Sequence, residues 1–169
     1  MTDNVDLVRR SFAALSSWDV EALLTLYHSD AEFLPLTGTR VDSGGYHGHA
    51  GIRAYLAEAR DLWEVLQPTG DDFEDFGDYV VVAGHCRVRG RTSGAESDPP
   101  CAWAIAIRDG LIVSHRACSS YEEALAAAGV SPAEDPAGSA EYPGVTAGER
   151  SGVKPAEQSG AKPFEHPAG

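Results

Sequence analysis

The dipeptide Asp109-Gly110 constrains this chain more than any other pair of residues. It stands between two β-rich runs, Cys101 to Ile107 and Leu111 to Ser120. A two-residue connection between antiparallel strands needs positive φ, which Asp-Gly adopts at little cost. The reading is a tight hairpin followed by a short helix from Tyr121. In the first run Cys101, Trp103, Ile105 and Ile107 fall on one face and alanines on the other. In the second, alternation puts His115 on the face of Leu111, Val113 and Ala117, so an imidazole sits amid an apolar surface. The rest of the chain is expected to wrap around this hairpin.

Upstream, Val5, Leu7, Val8, Phe12 and Leu15 recur at helical spacing, and Asp3 or Asn4 can cap a helix running to Ser16. Asp19 caps a second helix, with Leu23, Leu24, Leu26 and Tyr27 on its apolar side and His28-Ser29-Asp30 at its end. Ala31 to Leu36 reads as a short strand. A glycine-rich loop, Thr37 to Gly51, carries Tyr46, His47 and His49 and is placed over a cavity mouth. A third helix is predicted from Ala50 to Leu66, because the apolar stripe begun by Ile52, Tyr55 and Leu56 continues through Leu62, Trp63 and Leu66. Gln67-Pro68-Thr69-Gly70 is expected to stop it. Asp71 to Phe76 reads as an edge strand. Tyr79 to Arg91 alternates, with Val80, Val82, Cys86 and Val88 on one face and His85, Arg87 and Arg89 on the other. Gly84 inside that run marks a bulge or bend. Arg87 and Arg89 are assigned to a sheet-face dimer interface or to surface ion pairs.

The 169 residues suffice for one domain, 1–130, and a tail, 131–169. The tail is rich in Pro, Gly, Ala, Ser and Glu, a composition that cannot bury enough surface to fold, so it is expected to be disordered. Phe164-Glu165-His166 within it reads as a docking peptide or as part of an inert tail. Twenty-six acids against 13 bases give a net charge of -13. That charge repels nucleic-acid phosphates and anionic lipid, so neither nucleic acid nor membrane is expected as a partner. No apolar run is long enough to span a bilayer. Cys86, Cys101 and Cys118 lack metal-site spacing and are read as buried apolar groups in a reducing compartment. The acidic start, Thr2 to Asp6, has no basic leader region, and a cytoplasmic location is expected.

Three motifs occur in order: Asp19-Val-Glu-Ala-Leu-Leu-Thr-Leu-Tyr-His-Ser-Asp-Ala-Glu-Phe33, Gly48-His-Ala-Gly-Ile-Arg-Ala-Tyr-Leu56, and Arg108-Asp-Gly-Leu-Ile-Val-Ser-His-Arg116 leading into Glu123-Ala-Leu. Together they resemble the SnoaL-like branch of the nuclear transport factor 2-like superfamily, over roughly Asp3 to Val130. The resemblance implies an α+β fold: one curved mixed or antiparallel sheet wrapped around a long helix, with a conical cavity between them. It also implies a homodimer through the sheet face and, for many members, a role in secondary metabolism. It does not fix a reaction, because the superfamily hosts several. SnoaL-like polyketide cyclases place a catalytic Asp two residues after a His in the last strand; here the run is His115-Arg116-Ala117. The places used by limonene epoxide hydrolase-like enzymes fall on Cys86, Gly84, Ala117, Ala31 and Phe33. Those of ketosteroid isomerase-like enzymes fall near Ser11 and Leu34 or Pro35. None of these supplies the carboxylate that the relatives use.

Two catalytic candidates remain. His115 is a possible general base or hydrogen-bonding group, or simply a histidine satisfied by the backbone or by Tyr27. Cys86, facing the same cavity, is a nucleophile only if His115 lies within about 3–4 Å and activates it. The expected ligand pocket is lined by Trp18, Tyr27, Phe33, Tyr46, Trp63, Trp103 and Ala117, suited to an apolar small molecule. His47 and His49 form an H-x-H pair that needs a third ligand, from His28 or Asp42, to hold a metal. An exposed loop is the simpler reading, and neither metal nor cofactor is expected. Two functions follow: a pocket protein, a polyketide cyclase/isomerase-like enzyme or a plain binder, acting on an apolar (poly)cyclic ligand without the usual Asp; or a non-catalytic interaction protein. An open cavity walled by Trp103, Cys86 and His115 favours the first.

Overall fold

The computed structural model describes residues 3–37 and 44–131. Asp42, and the tail beyond Ser131, lie outside them. Helix α1, Asn4–Ser16, starts where Asp3 accepts a hydrogen bond from the Val5 amide at 3.0 Å. Helix α2, Val20–Thr25, is capped in the same way by Asp19 from the Ala22 amide. Strands β1, Tyr27–Leu34, and β2, Tyr46–His47, lead to helix α3, Gly48–Leu62. Then come β3, Trp63–Asp75, β4, Tyr79–Gly90, β5, Glu96–Ser97, β6, Pro100–Arg108, and β7, Leu111–Cys118. Helix α4, Tyr121–Ala128, closes the described chain.

The sheet order is β2-β1-β7-β6-β4-β3, with β5 on β4. Among the described strands only the β1–β7 pair is parallel, so the sheet is mixed, as expected. The β6–β7 hairpin turns on Asp109 at φ 53° and Gly110 at φ 75°, the primed geometry the dipeptide calls for. Helices α1 and α3 pack on the concave face, where Leu7, Val8, Phe12, Ile52, Leu56 and Ile105 form the core.

Three local expectations are corrected. Helix α2 ends at Thr25, not at His28 to Asp30, because Tyr27 is drawn into the sheet: the Ile112 amide donates to the Leu26 carbonyl at 2.9 Å, and Tyr27 pairs with Ile112. Helix α3 ends at Leu62, and Trp63 and Leu66 belong to β3. Its end is held from a distance. Arg91 donates its amide to the Leu62 carbonyl and its guanidinium to the carbonyls of Arg60, at 2.7 Å, and Trp63, at 3.2 Å. Pro68 then sits inside a strand, which its edge position permits.

The third correction concerns β7. Ala106 pairs with Ser114 and Ile107 with Ile112, leaving Val113 as an extra residue. The bulge reverses the alternation. Ile112, His115 and Ala117 therefore share the inner face with Ile105 and Trp103, while Leu111 and Val113 do not.

On the outer sheet face the structure shows a covering helix and, for Arg87 and Arg89, the second of the two expected readings, ion pairs. The alanines of β6 are as buried as its large residues. Ala102 and Ala104, with Val81 and Cys118, pack beneath Ala124 and Leu125 of α4. Of the outer-face arginines, Arg87 pairs with Glu96 at 3.0 Å and Arg89 with Glu64 at 2.9 Å, so both have ion pairs within the chain.

Gly84 does mark an irregularity, but the extra residue is in β3. Gly70 pairs with Gly84 and Asp72 with Ala83, so Asp71 is bulged. A Cβ on Gly84 would stand 1.9 Å from the Thr69 carbonyl oxygen. Only glycine lets the two backbones come so close.

Candidate ligand cavity

A cavity of about 280 Å³ opens between the concave face of the sheet and the two long helices. Strand β7 supplies His115 and Ala117, β6 Cys101 and Trp103, β4 Cys86 and Val88, and β3 Trp63, Leu66 and Pro68. Leu15 and Tyr55 come from α1 and α3, and Phe33 from β1. Leu36, Thr37, Ser97 and Pro99 also line the cavity and are the exposed residues of the wall. Among the described residues no Asp, Glu, Lys or Arg lines this wall. Its character is apolar and aromatic, with a few neutral polar groups, the usual make-up of a small-molecule site.

His115 is the most enclosed polar group of the wall, 2 % exposed. Its ring is surrounded by Phe33, with centroids 4.6 Å apart, by Tyr27 at 6.1 Å and by Phe12 at 6.2 Å. The Tyr27 hydroxyl and His115 Nδ1 are 2.7 Å apart. Burial without a charged partner pushes the His115 pKa down to about 3, and burial likewise pushes the Tyr27 phenol well above its ordinary value. Both groups are therefore neutral near pH 7. Among the described residues every fully enclosed side-chain nitrogen or oxygen has a hydrogen-bond partner. Nε2 of His115 has no such bond, so it is the ring atom that reaches the open cavity.

Cys86 lines the same cavity, but no hydrogen bond joins it to His115. Burial, reinforced by Asp98, pushes its thiol up to about 11. A thiol so placed is protonated and a poor nucleophile.

Of the expected pocket residues, the structure places Phe33, Trp63, Trp103 and Ala117 on the wall. Three others lie elsewhere. Trp18 links α1 and α2 at φ 58°, with the Arg60 guanidinium 5.8 Å from its ring. Tyr46 is fully buried behind the wall, its hydroxyl 2.7 Å from Glu58 Oε2. Tyr27 stands behind His115 rather than on the surface. The H-x-H pair does not converge either. His49 Nε2 donates to the Tyr27 carbonyl at 3.0 Å, and His28 Nδ1 accepts from the Asp30 amide. No group of three metal-ligating side chains occurs among the described residues. The sequence reading missed Tyr55, Leu66 and Pro68. Tyr55 was legible as part of the α3 stripe; the other two depended on where α3 ends.

A curved mixed sheet with two long helices on its concave face and an apolar cavity between them is the fold of the nuclear transport factor 2-like type. The chain belongs to the SnoaL-like domain family, whose model matches residues 8–115. Solved structures agree. An NTF2-like protein of unknown function from Burkholderia pseudomallei is 22 % identical, with a TM-score of 0.62 over 75 % of this chain and 97 % of the other. An NTF2-like protein from Burkholderia xenovorans is 29 % identical, with a TM-score of 0.56 over 74 % and 94 %. TerC, co-crystallised with polyporic acid, is 26 % identical, with a TM-score of 0.60 over 68 % and 89 %. No curated protein matches the chain. No helix among the described residues is long and apolar enough to cross a membrane.

Proposed function

We propose that the chain binds a flat, largely apolar cyclic small molecule in this cavity, with His115 as the neutral polar group that orients it. The observation that carries this reading is the wall itself: Trp103, Cys86 and His115 around about 280 Å³, with no charged side chain among the described residues. A ligand of opposite character would leave its charge unpaired there. TerC, 26 % identical to this chain, is co-crystallised with a small molecule, polyporic acid, which supports a ligand-binding reading.

The same chemistry weighs against acid/base catalysis in the manner of the polyketide cyclases. At the place of their catalytic Asp stands the methyl group of Ala117. His115, with a pKa near 3, takes up a proton only weakly at neutral pH. The alternative, an interaction protein using its sheet face, has less support. Helix α4 covers Val81, Ala102, Ala104 and Cys118, and His85, Arg87 and Arg89 have partners in Asp98, Glu96 and Glu64.

The test is thermal unfolding against a panel of aromatic polyketides and other fused-ring compounds, for the wild type and for Ala117→Trp, which fills the cavity. A ligand at a hundred times its Kd adds about 2.7 kcal/mol to stability and raises Tm. The reading expects at least one compound to do this in the wild type and none in Ala117→Trp. Equal shifts in both proteins, or none in the wild type, would overturn it.

A further inference from the structure

The outer face of the sheet carries charge at both ends, and the two ends differ. On β4, His85, Arg87 and Arg89 are matched by Asp98, Glu96 and Glu64. On β1 and β7, Glu32 and Arg116 are matched by nothing. Among the described residues neither side chain makes a hydrogen bond or an ion pair, with the other or with a third group.

The strand register explains how they come to face one space. Parallel pairing sets Glu32 beside Ser114 and Leu34 beside Arg116. Across β7, Ser114 pairs with Ala106, which pairs with Tyr79, and Arg116 pairs with Ala104. His115 points inward, so its neighbours Ser114 and Arg116 point outward. The alanines of β6 leave a gap among these longer side chains, and Ala127 of α4 bounds it. The result is a pocket of about 190 Å³. Its polar groups are Glu32, Arg116 and the hydroxyls of Ser114 and Tyr79, and neither hydroxyl has a hydrogen bond among the described residues. Four polar side chains thus converge on one pocket without satisfying one another.

The charges decide what fits. A simple anion at Arg116 stands near the Glu32 carboxylate, in a chain whose net charge is -13. A simple cation at Glu32 meets the Arg116 guanidinium. A molecule with both charges a few bonds apart satisfies both groups and brings no net charge. The volume lies below that of cavities for drug-sized ligands, so the molecule is small. We propose that this outer pocket binds a free α-amino acid with a short aliphatic side chain. Its carboxylate takes the Arg116 guanidinium and a hydroxyl of Ser114 or Tyr79, and its ammonium donates to Glu32. The side chain lies against Leu34, Ala104 and Ala127. This site is on the opposite face from the apolar cavity and does not rest on the reading of that cavity.

L-Alanine titrated into the ¹⁵N-labelled full chain tests it. The expected result is a saturable shift of the Glu32, Ser114 and Arg116 amides. L-Alaninamide lacks the carboxylate and N-acetyl-L-alanine lacks the ammonium, and each should bind roughly tenfold more weakly or worse. Arg116→Gln and Glu32→Gln should each weaken L-alanine to the same degree. Both side chains are exposed, so the spectra away from the pocket should not change. If either analogue binds as well as L-alanine, one charge suffices and recognition of a zwitterion is overturned. The absence of a saturable shift at the pocket would overturn the site itself, whatever the variants do. Pocket amides that move with protein concentration and ignore L-alanine would show a second copy seated there, and would overturn it too.

Discussion

The hydroxyl of Tyr27, on the first strand, meets Nδ1 of His115, on the last strand, at 2.7 Å across 88 positions of chain. Both side chains are buried, at 2 % exposure each. The pair forms because β1 and β7 lie side by side in parallel, with Phe33 opposite His115. An uncharged dyad inside an aromatic box has measurable consequences for stability as well as for binding.

The first is a pH dependence. In the unfolded chain His115 has an ordinary histidine pKa, about 6.5, whereas in the fold it is held near 3. Between those values the unfolded state binds a proton that the folded state refuses. Stability is therefore fully present above about pH 6.5 and is lost as pH falls toward 3, at about 1.4 kcal/mol per pH unit. Urea unfolding of the wild type and of His115→Gln between pH 7.5 and 4 isolates this contribution from the carboxylates. The difference between the two proteins should shrink steadily below pH 6.5. A difference that stays constant over that range would show that His115 titrates normally.

Removing both partners of the dyad should cost less than the two single removals added together. Tyr27→Phe leaves Nδ1 buried without its bond, at about 1–3 kcal/mol. His115→Phe strands the phenol in the same way. If the hydrogen bond couples the two, the double variant should be more stable than the sum of single losses allows, by about 0.5–3 kcal/mol. Additivity in a double-mutant cycle of urea midpoints would show that the 2.7 Å contact contributes nothing specific.

Cys86 should behave as an inert thiol. With its pKa pushed up to about 11, very little thiolate exists at pH 7.5, and alkylation by iodoacetamide should be much slower than for a free cysteine. Cys101 and Cys118 are pushed up to about 12 and 11 by burial as well, so the folded protein should show no fast-reacting thiol among the described residues. A rapid modification mapping to Cys86 would restore it as a nucleophile.

The sequence made the hairpin, the first two caps and the central place of His115 legible because each depends on near neighbours: Asp-Gly on its own torsions, Asp3 and Asp19 on amides two and three residues on. What stayed hidden depends on distant ones. Helix α3 gives way to β3 between Leu62 and Trp63 without a glycine or proline, because Arg91 takes the helix-end carbonyls. The Val113 bulge exists only in the pairing of β7 with β6, so alternation put Leu111 and Val113 on the wrong face while still placing His115 correctly. Alternation put the alanines of β6 on one face, but it could not say that α4 lies over them. Trp18 and Tyr46 look like pocket aromatics by type; their packing elsewhere is a matter of three-dimensional structure.

Two glycine substitutions should have opposite consequences for the cavity. Gly110 has φ 75° and open space around it, so Gly110→Ala meets only backbone strain and should cost about 1 kcal/mol. Its wall residues stay in place, and ligand binding should be unchanged. Gly84 is different: an added Cβ falls 1.9 Å from the Thr69 carbonyl oxygen, a backbone atom that cannot rotate aside. Gly84→Ala must therefore push β3 away from β4. Those two strands carry Leu66 and Pro68 on one side of the cavity wall and Cys86 and Val88 beside them. The expected loss is about 1–3 kcal/mol or more, accompanied by weakened binding of any ligand the wild type takes. Chemical unfolding together with the thermal-shift panel reads both effects. A Gly84→Ala protein as stable as Gly110→Ala and equally able to bind would mean that the close approach of β3 and β4 does not shape this site.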